Sequence, residues 1–143
     1  MKFSFMIFIH FSRSFALVTD LLAFEDAMSY CVNIGGRLAE TRNQEQYDVV
    51  EDLSRSLGAT NFWLGACDGY PEGHWYWISD RSPVALGKFW LPNQPDNAGG
   101  NENCLQIQHG QGLDDFVCAT KQKFICEFGD KGDVRVCDPP VHV

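Results

Sequence analysis

No apolar run among the 143 residues reaches the ~18–20 positions of a helical membrane span, which leaves no candidate span in this sequence. Basic residues are also scarce. Eleven Lys and Arg stand against nineteen Asp and Glu, and the formal net charge of −8 argues against nucleic acid or an anionic membrane as partner. No C-x-x-C pair occurs, and neighbouring cysteines are never closer than the eight positions from Cys118 to Cys126. A thiol-rich zinc site normally shows such a close pair, so the six cysteines read as three disulfides. Oxidised cysteines in turn imply export from the cytosol, hence a secreted or extracellular protein. There is no N-x-S/T glycosylation acceptor, no internal repeat and no Ser/His/Asp or Cys/His constellation of the kind nucleophilic catalysis uses.

What is present reads as one domain, long enough for a real hydrophobic core. The first residues, MKFSFMIFIHFSRSFA, admit two readings. Lys2, the apolar run Phe3 to Phe11 and the small Ser14 and Ala16 fit a secretion signal over residues 1–16. Phe3, Phe5, Ile7, Ile9 and Phe11 alternate as a first strand would. Thr19 and Asp20 offer cap oxygens to a helix starting near Leu21, whose inner face is Phe24, Ala27, Met28 and Cys31 and which Gly35–Gly36 ends. Arg37 to Glu40 is a short extended piece. Thr41 with Gln44 forms a capping box for a second helix, with Tyr47, Val50, Leu53 and Leu57 inward and a solvated face of Glu45, Asp48, Glu51, Asp52 and Arg55.

From Asn61 the period changes to two. Asn61–Ala66 and His74–Ser79 read as strands joined by a turn containing Gly69, Pro71 and Gly73. Trp63, Trp75, Trp77 and Trp90 could be a sugar-stacking platform, but strand-borne aromatics of this kind are better read as core. A long, weakly patterned stretch runs from Ser79 to Asn103. Leu105–Gln108, Phe116–Cys118 and Phe124–Phe128 are short closing strands, and residues 129–143 an extended tail outside the core.

The chemistry concentrates between Gln94 and Cys118, QPDNAGGNENCLQIQHGQGLDDFVC. Asp96, Glu102, Asp114 and Asp115 lie there with a set of Asn and Gln amides and no Lys or Arg. Such carboxylates either stand apart in water or are gathered by a hard cation. Calcium suits them, taking about 6–8 oxygen ligands from carboxylates, amide carbonyls and water.

Over residues 15–128 the chain resembles the C-type lectin-like domain. The resemblance is carried by Ala-Met-Ser-Tyr-Cys31, Phe-Trp-Leu-Gly65, the run from Trp90 to Gln94-Pro95-Asp96, Glu102-Asn-Cys104, Leu-Asp-Asp115 and Ile-Cys126-Glu-Phe128. It implies an α+β fold: two helices packed on antiparallel sheets, a long calcium-binding loop region and disulfide staples. The family pattern implies the bridges Cys31–Cys126 and Cys104–Cys118. Cys67 and Cys137 remain, and their pairing would pin the tail.

The resemblance implies a principal calcium held by Gln94, Asp96, Glu102, Asp114 and Asp115, with Pro95 in the cis form. The same five residues would meet the sugar, two neighbouring hydroxyls taking places on the ion while Gln94 and Asp96 exchange hydrogen bonds with them. In this family Gln-Pro-Asp is associated with galactose-type ligands and Glu-Pro-Asn with mannose-type. Asp68, Glu72, Asn97 and Asn103 match positions of an auxiliary calcium site; Asp68 and Glu72 also read as plain turn residues. Three positions depart from the pattern. Asp114 stands where Asn is usual and cannot donate a hydrogen bond, Leu113 replaces a Trp, and Ala98 sits where some galactose binders carry an aromatic ring. His109 is a candidate stacking group in its place, though a lone loop histidine is ordinarily solvated.

The resulting expectation is a secreted, calcium-dependent lectin for glycans with galactose-like terminal sugars, acting in innate recognition. Weak affinity for one monosaccharide would call for several copies, hence a homo-oligomer. The alternative is a lectin-like fold without sugar binding, acting as a protein- or ice-interaction module. An enzyme, with Glu102 and the two aspartates as a glycosidase pair, is the reading the residues favour least.

Overall fold

The computed structural model describes residues 5–10, 13–56, 58, 60–69, 72–85 and 87–129, with residues 5–10 given as backbone alone. Strands β1 (Phe5–His10) and β2 (Arg13–Leu22) form an antiparallel hairpin. Helix α1 (Phe24–Asn33), the two-residue β3 (Arg37–Leu38) and helix α2 (Gln44–Ser56) follow. The second half supplies β4 (Phe62–Asp68), β5 (Trp75–Trp77), β6 (Glu102–Gln108), β7 (Gly112–Val117) and β8 (Gln122–Phe128). The sheet runs β1-β2-β8-β4-β6-β7, with β3 added on β8 and β5 on β4. Every pairing is antiparallel except β4 with β8, so the architecture is α+β with one parallel contact in an otherwise antiparallel arrangement.

Helix α1 begins at Phe24, not near Leu21. Thr19 and Asp20 are strand residues within β2, which pairs with β8 across the chain, and the position before the helix is Ala23, without a side-chain cap. Its inward face is as the spacing predicts, with Phe24, Ala27, Met28 and Cys31 buried. The cap of α2 also differs. Asn43 Oδ1 accepts from the Gln46 N–H at 2.9 Å and Gln46 Oε1 from the Arg42 N–H at 2.9 Å. The box therefore sits two residues later than Thr41 and Gln44. Tyr47, Val50 and Leu53 face inward as expected; the side chain of Leu57 and the tail, residues 130–143, lie outside the described residues.

All four tryptophans are core, which removes them as a sugar platform. Trp63 is fully buried, meets Phe24 edge-on at 5.5 Å and donates to the Leu22 carbonyl. Trp75 meets Trp90 edge-on at 5.2 Å, and the Trp90 indole donates to the Ala85 carbonyl. These contacts root the long loop in the core, since Trp90 lies directly before the Leu91–Gln94 turn. At Gly65 a Cβ would come within 2.6 Å of the Leu38 carbonyl, so only glycine lets β4 approach β3 this closely.

Two bridges are described: Cys31–Cys126 ties α1 to β8 and Cys104–Cys118 ties β6 to the end of β7. The loops they close, 95 and 14 residues, correspond to about 4.5 and 3 kcal/mol in the chain-entropy account. Cys67 is buried on β4 and is not free; Cys137 lies outside the described residues. Where β2 and β3 meet β8, Glu127 of β8 is buried. It accepts from Arg13, from Arg37 Nε at 3.4 Å and from the Glu40 backbone N–H at 2.9 Å. Burial raises the Glu127 carboxyl's pKa and the two guanidiniums act against that shift.

Removing one side of a buried ion pair leaves the other desolvated and unpaired. Glu127→Ala should therefore lower unfolding free energy by about 3 kcal/mol. Urea denaturation of the disulfide-intact protein measures this, and a loss below about 1 kcal/mol would mean that the network is structurally idle.

Candidate functional site

The loop between β5 and β6 is held against β7 by its own backbone. The Leu113 N–H donates to the Phe89 carbonyl and the Leu91 N–H to the Leu113 carbonyl, both at 2.9 Å. The Gln94 N–H closes a turn on the Leu91 carbonyl. Leu113, despite replacing a larger residue of the family pattern, is 1 % exposed and serves as this anchor. The Gln94–Pro95 peptide is cis, as the resemblance implies. Asn93 and Asn97 bracket the segment with positive φ (66° and 47°), a conformation asparagine tolerates better than most residues.

Within this frame the acids converge. One carboxylate oxygen from each of Asp96, Glu102 and Asp115 lies within 4.8 Å of the other two. Ligands on opposite sides of one calcium ion, at 2.3–2.6 Å each, would be roughly 5 Å apart, so the spacing suits a shared ion. Asp115 accepts from the backbone N–H groups of Asp96 (3.2 Å) and Asn97 (2.6 Å), which locks the loop to β7. Glu102 accepts from the Ala98 N–H at 3.0 Å, and Asn97 Oδ1 accepts from the Glu102 N–H at 3.0 Å. Gln94 Nε2 lies 3.5 Å from Asp96 Oδ2. The other end of that amide, Gln94 Oε1, is buried without a protein hydrogen-bond partner.

Asp114 stands beside this trio. It and Asp115 are on strand β7, not in a loop, because β7 begins at Gly112 and not at Phe116. Asp114 Oδ2 accepts from Gln106 Nε2 across the β6–β7 pair at 2.8 Å, and its carboxyl also lies within hydrogen-bonding reach of Asp115. Gln106, at 0 % exposure, was not singled out by sequence reasoning; the available signal was an amide flanked by Leu105 and Ile107 in an apolar strand.

The electrostatics are those of an uncompensated acid cluster. Burial pushes Glu102 up to about 7, opposed by the Ala98 N–H and reinforced by Asp115, Asp96 and Asp114. Asp114 rises to about 6, again through burial, with the Gln106 bond acting downward and Asp115 and Asp96 upward. Asp115 is raised by burial against the pull of its backbone donors. Among the described residues no Lys or Arg side chain bonds to Asp96, Glu102, Asp114 or Asp115.

Of the auxiliary set, Asp68 and Glu72 are together. Both Asp68 oxygens accept from the Gly73 N–H at 3.0 and 3.1 Å, and a hydrogen bond with Asp68, then burial, pushes Glu72 up to about 7. Asn97 is occupied with Glu102, and Asn103 is half-buried next to it on β6. His109 and Ala98 are exposed. The donor set is oxygen throughout, carboxylates plus an orphaned amide carbonyl, which fits a hard divalent cation and not a soft one.

The fold and this loop define a C-type lectin-like domain. The chain superposes on the mouse scavenger receptor C-type lectin carbohydrate-recognition domain with a TM-score of 0.78 and 26% identity, covering 87% of this chain and 96% of that one. It belongs to the C-type lectin domain family, whose model matches residues 20–128. Among its relatives are salivary C-type lectin 2 of Aedes albopictus and the galactose-specific lectin nattectin of Thalassophryne nattereri. The first is 30% identical over 126 residues (80% of this chain, 83% of the relative) and the second 30% over 120 residues (82% and 74%). These relatives are lectins or lectin domains.

The raised carboxyls set a pH dependence. Each binds its proton more tightly in the folded chain than unfolded, where a glutamate titrates near 4.5. Between that value and about 7 the folded state carries more protons, so these groups favour folding fully below about pH 4.5 and lose that contribution as pH climbs to 7. With chelator present, the melting temperature should rise on going from pH 8 to pH 5.5. A flat or falling profile, measured by circular dichroism, would contradict the electrostatic picture.

Proposed function

We propose that this domain is a calcium-dependent lectin of galactose-type preference, secreted and acting in glycan recognition of the innate-defence kind. The observation that carries this is the convergence of the Asp96, Glu102 and Asp115 carboxylates, to which no Lys or Arg among the described residues bonds, with an unpartnered Gln94 carbonyl at their edge. Gln94, Asp96, Glu102, Asp114 and Asp115 would hold the principal ion. Asp68, Glu72, Asn97 and Asn103 would hold an auxiliary one. When bound, calcium supplies coordination places for two neighbouring sugar hydroxyls.

The protein side chains would do the discriminating. Gln94 brings an amide, whose N–H donates, and Asp96 a carboxylate, which only accepts. A sugar whose hydroxyls meet that order keeps its hydrogen bonds, while the opposite order leaves a mismatch of about 1–3 kcal/mol. The galactose specificity in the name of the nattectin relative supports the same assignment. Asp96 and Glu102 also brace the loop through Ala98, so ion and sugar would meet a preshaped edge. Useful avidity would come from several copies of the domain.

A glycan array run with and without calcium tests the proposal. Galactose-terminated glycans should bind only with calcium, and the double change Gln94→Glu with Asp96→Asn should move preference to mannose-type sugars by roughly tenfold or more, in line with a mismatch above 1.4 kcal/mol. Calcium-independent binding would refute it; no glycan bound at all would refute it and favour the protein- or ice-interaction alternative.

A further inference from the structure

Gln106 is the one polar side chain at 0 % exposure on β6, and its amide has a one-sided environment. Nε2 donates to Asp114 Oδ2 at 2.8 Å, while Oε1 is buried with no protein partner. A buried carbonyl left unpaired is unfavourable. Leucine or methionine would fill the same apolar position, between Leu105 and Ile107, without that penalty. Its one hydrogen bond among the described residues is therefore the feature its presence has to account for.

That bond lands on one of the three positions where this chain departs from the family pattern. Asp114 carries a carboxylate in place of an amide, which adds a charge and a second acceptor oxygen to an already crowded cluster. Asp96, Glu102 and Asp115 all act electrostatically on it or are acted on by it. A carboxylate in that position could rotate either oxygen toward its neighbours. With Oδ2 held by Gln106, one oxygen is committed and one remains. The donor is also neutral. A lysine or arginine reaching Asp114 from position 106 would place a positive charge beside the acids and substitute for a divalent ion.

We propose that Gln106 is a positioning residue for the cation site: it holds Oδ2 so that Asp114 presents a single oxygen, the role an asparagine carbonyl would otherwise fill, without neutralising the cluster. This rests on the calcium-binding reading above. Residues that hydrogen-bond a ligating carboxylate commonly change metal affinity by about 10–100-fold when removed.

The test is a double-mutant cycle on the full chain, with calcium affinity read by titration and folding by melting temperature in chelator. Gln106→Met keeps the length and packing and removes the donor. It should weaken calcium binding by roughly tenfold or more in the wild-type background. In an Asp114→Asn background the same change should alter affinity less than about threefold, because an asparagine has one carbonyl oxygen and needs no partner to choose it. A merely structural role would give equal losses in both backgrounds, and that outcome overturns the proposal, as does unchanged affinity in Gln106→Met. Gln106→Lys supplies a second readout: it should raise the chelated melting temperature while abolishing calcium binding. Retained calcium binding in Gln106→Lys also counts against the proposal. Absence of calcium binding in the wild-type chain would instead refute the function on which this inference stands.

Discussion

Mutual repulsion among carboxylates, gathered where no basic side chain among the described residues reaches them, is the constraint around which this domain is arranged. Asp96, Glu102 and Asp115 are brought within ion-sharing distance by backbone donors, which orient a carboxylate without cancelling its charge. Elsewhere the chain treats buried acids differently. Glu127 receives two arginines, and Glu40 receives Arg42, whose guanidinium also meets Asp80 and the hydroxyls of Ser79 and Ser82. The same protein thus neutralises Glu127 and Glu40 internally, while the open Asp96, Glu102 and Asp115 set, like the buried Asp68 beside Glu72, meets no such arginine among the described residues. That contrast is the physical basis for reading the open set as a site.

Holding like charges together costs stability, and the scaffold that resists it is covalent and aromatic. The Cys104–Cys118 bridge fixes β6 against the end of β7, so Glu102 and Asp115 cannot drift apart. Cys31–Cys126 secures α1 to β8 over a long loop. The long segment before β6 gains order from Trp90 against Trp75 and from Phe89 stacked on Tyr47 at 4.4 Å. The loop that carries Gln94 and Asp96 is consequently short in effective length despite the weak patterning of its sequence.

Much of this was legible in the residues, and the misses have identifiable causes. The inner face of α1, the antiparallel β4–β5 pair and the burial of all four tryptophans followed from spacing and residue type. The starting point of α1 did not, because Thr19 and Asp20 are claimed by β2 through its pairing with β8, a contact spanning most of the chain. The α2 cap was displaced because two overlapping pairs share the cap spacing, Thr41 with Gln44 and Asn43 with Gln46, and only the fold chooses between them. Asp114 and Asp115 read as loop because Gly112 and two adjacent acids look like a turn, yet β6 supplies a partner strand that extends β7 across them. The convergence of Asp96, Glu102 and Asp115 came from the resemblance and from the lack of basic residues, not from local pattern. Gln106 was missed since one amide in an apolar strand carries no motif, and its meaning appears only when Asp114 is seen opposite it.

Calorimetric titration of Ca²⁺ into pure, disulfide-intact protein at neutral pH tests the central claim most directly. The account predicts a saturable heat with proton release, since raised carboxyls such as Glu102 must give up protons to bind the ion. Proton release is read by repeating the titration in buffers of different ionisation enthalpy. No heat of binding above dilution, in any of those buffers, would contradict it.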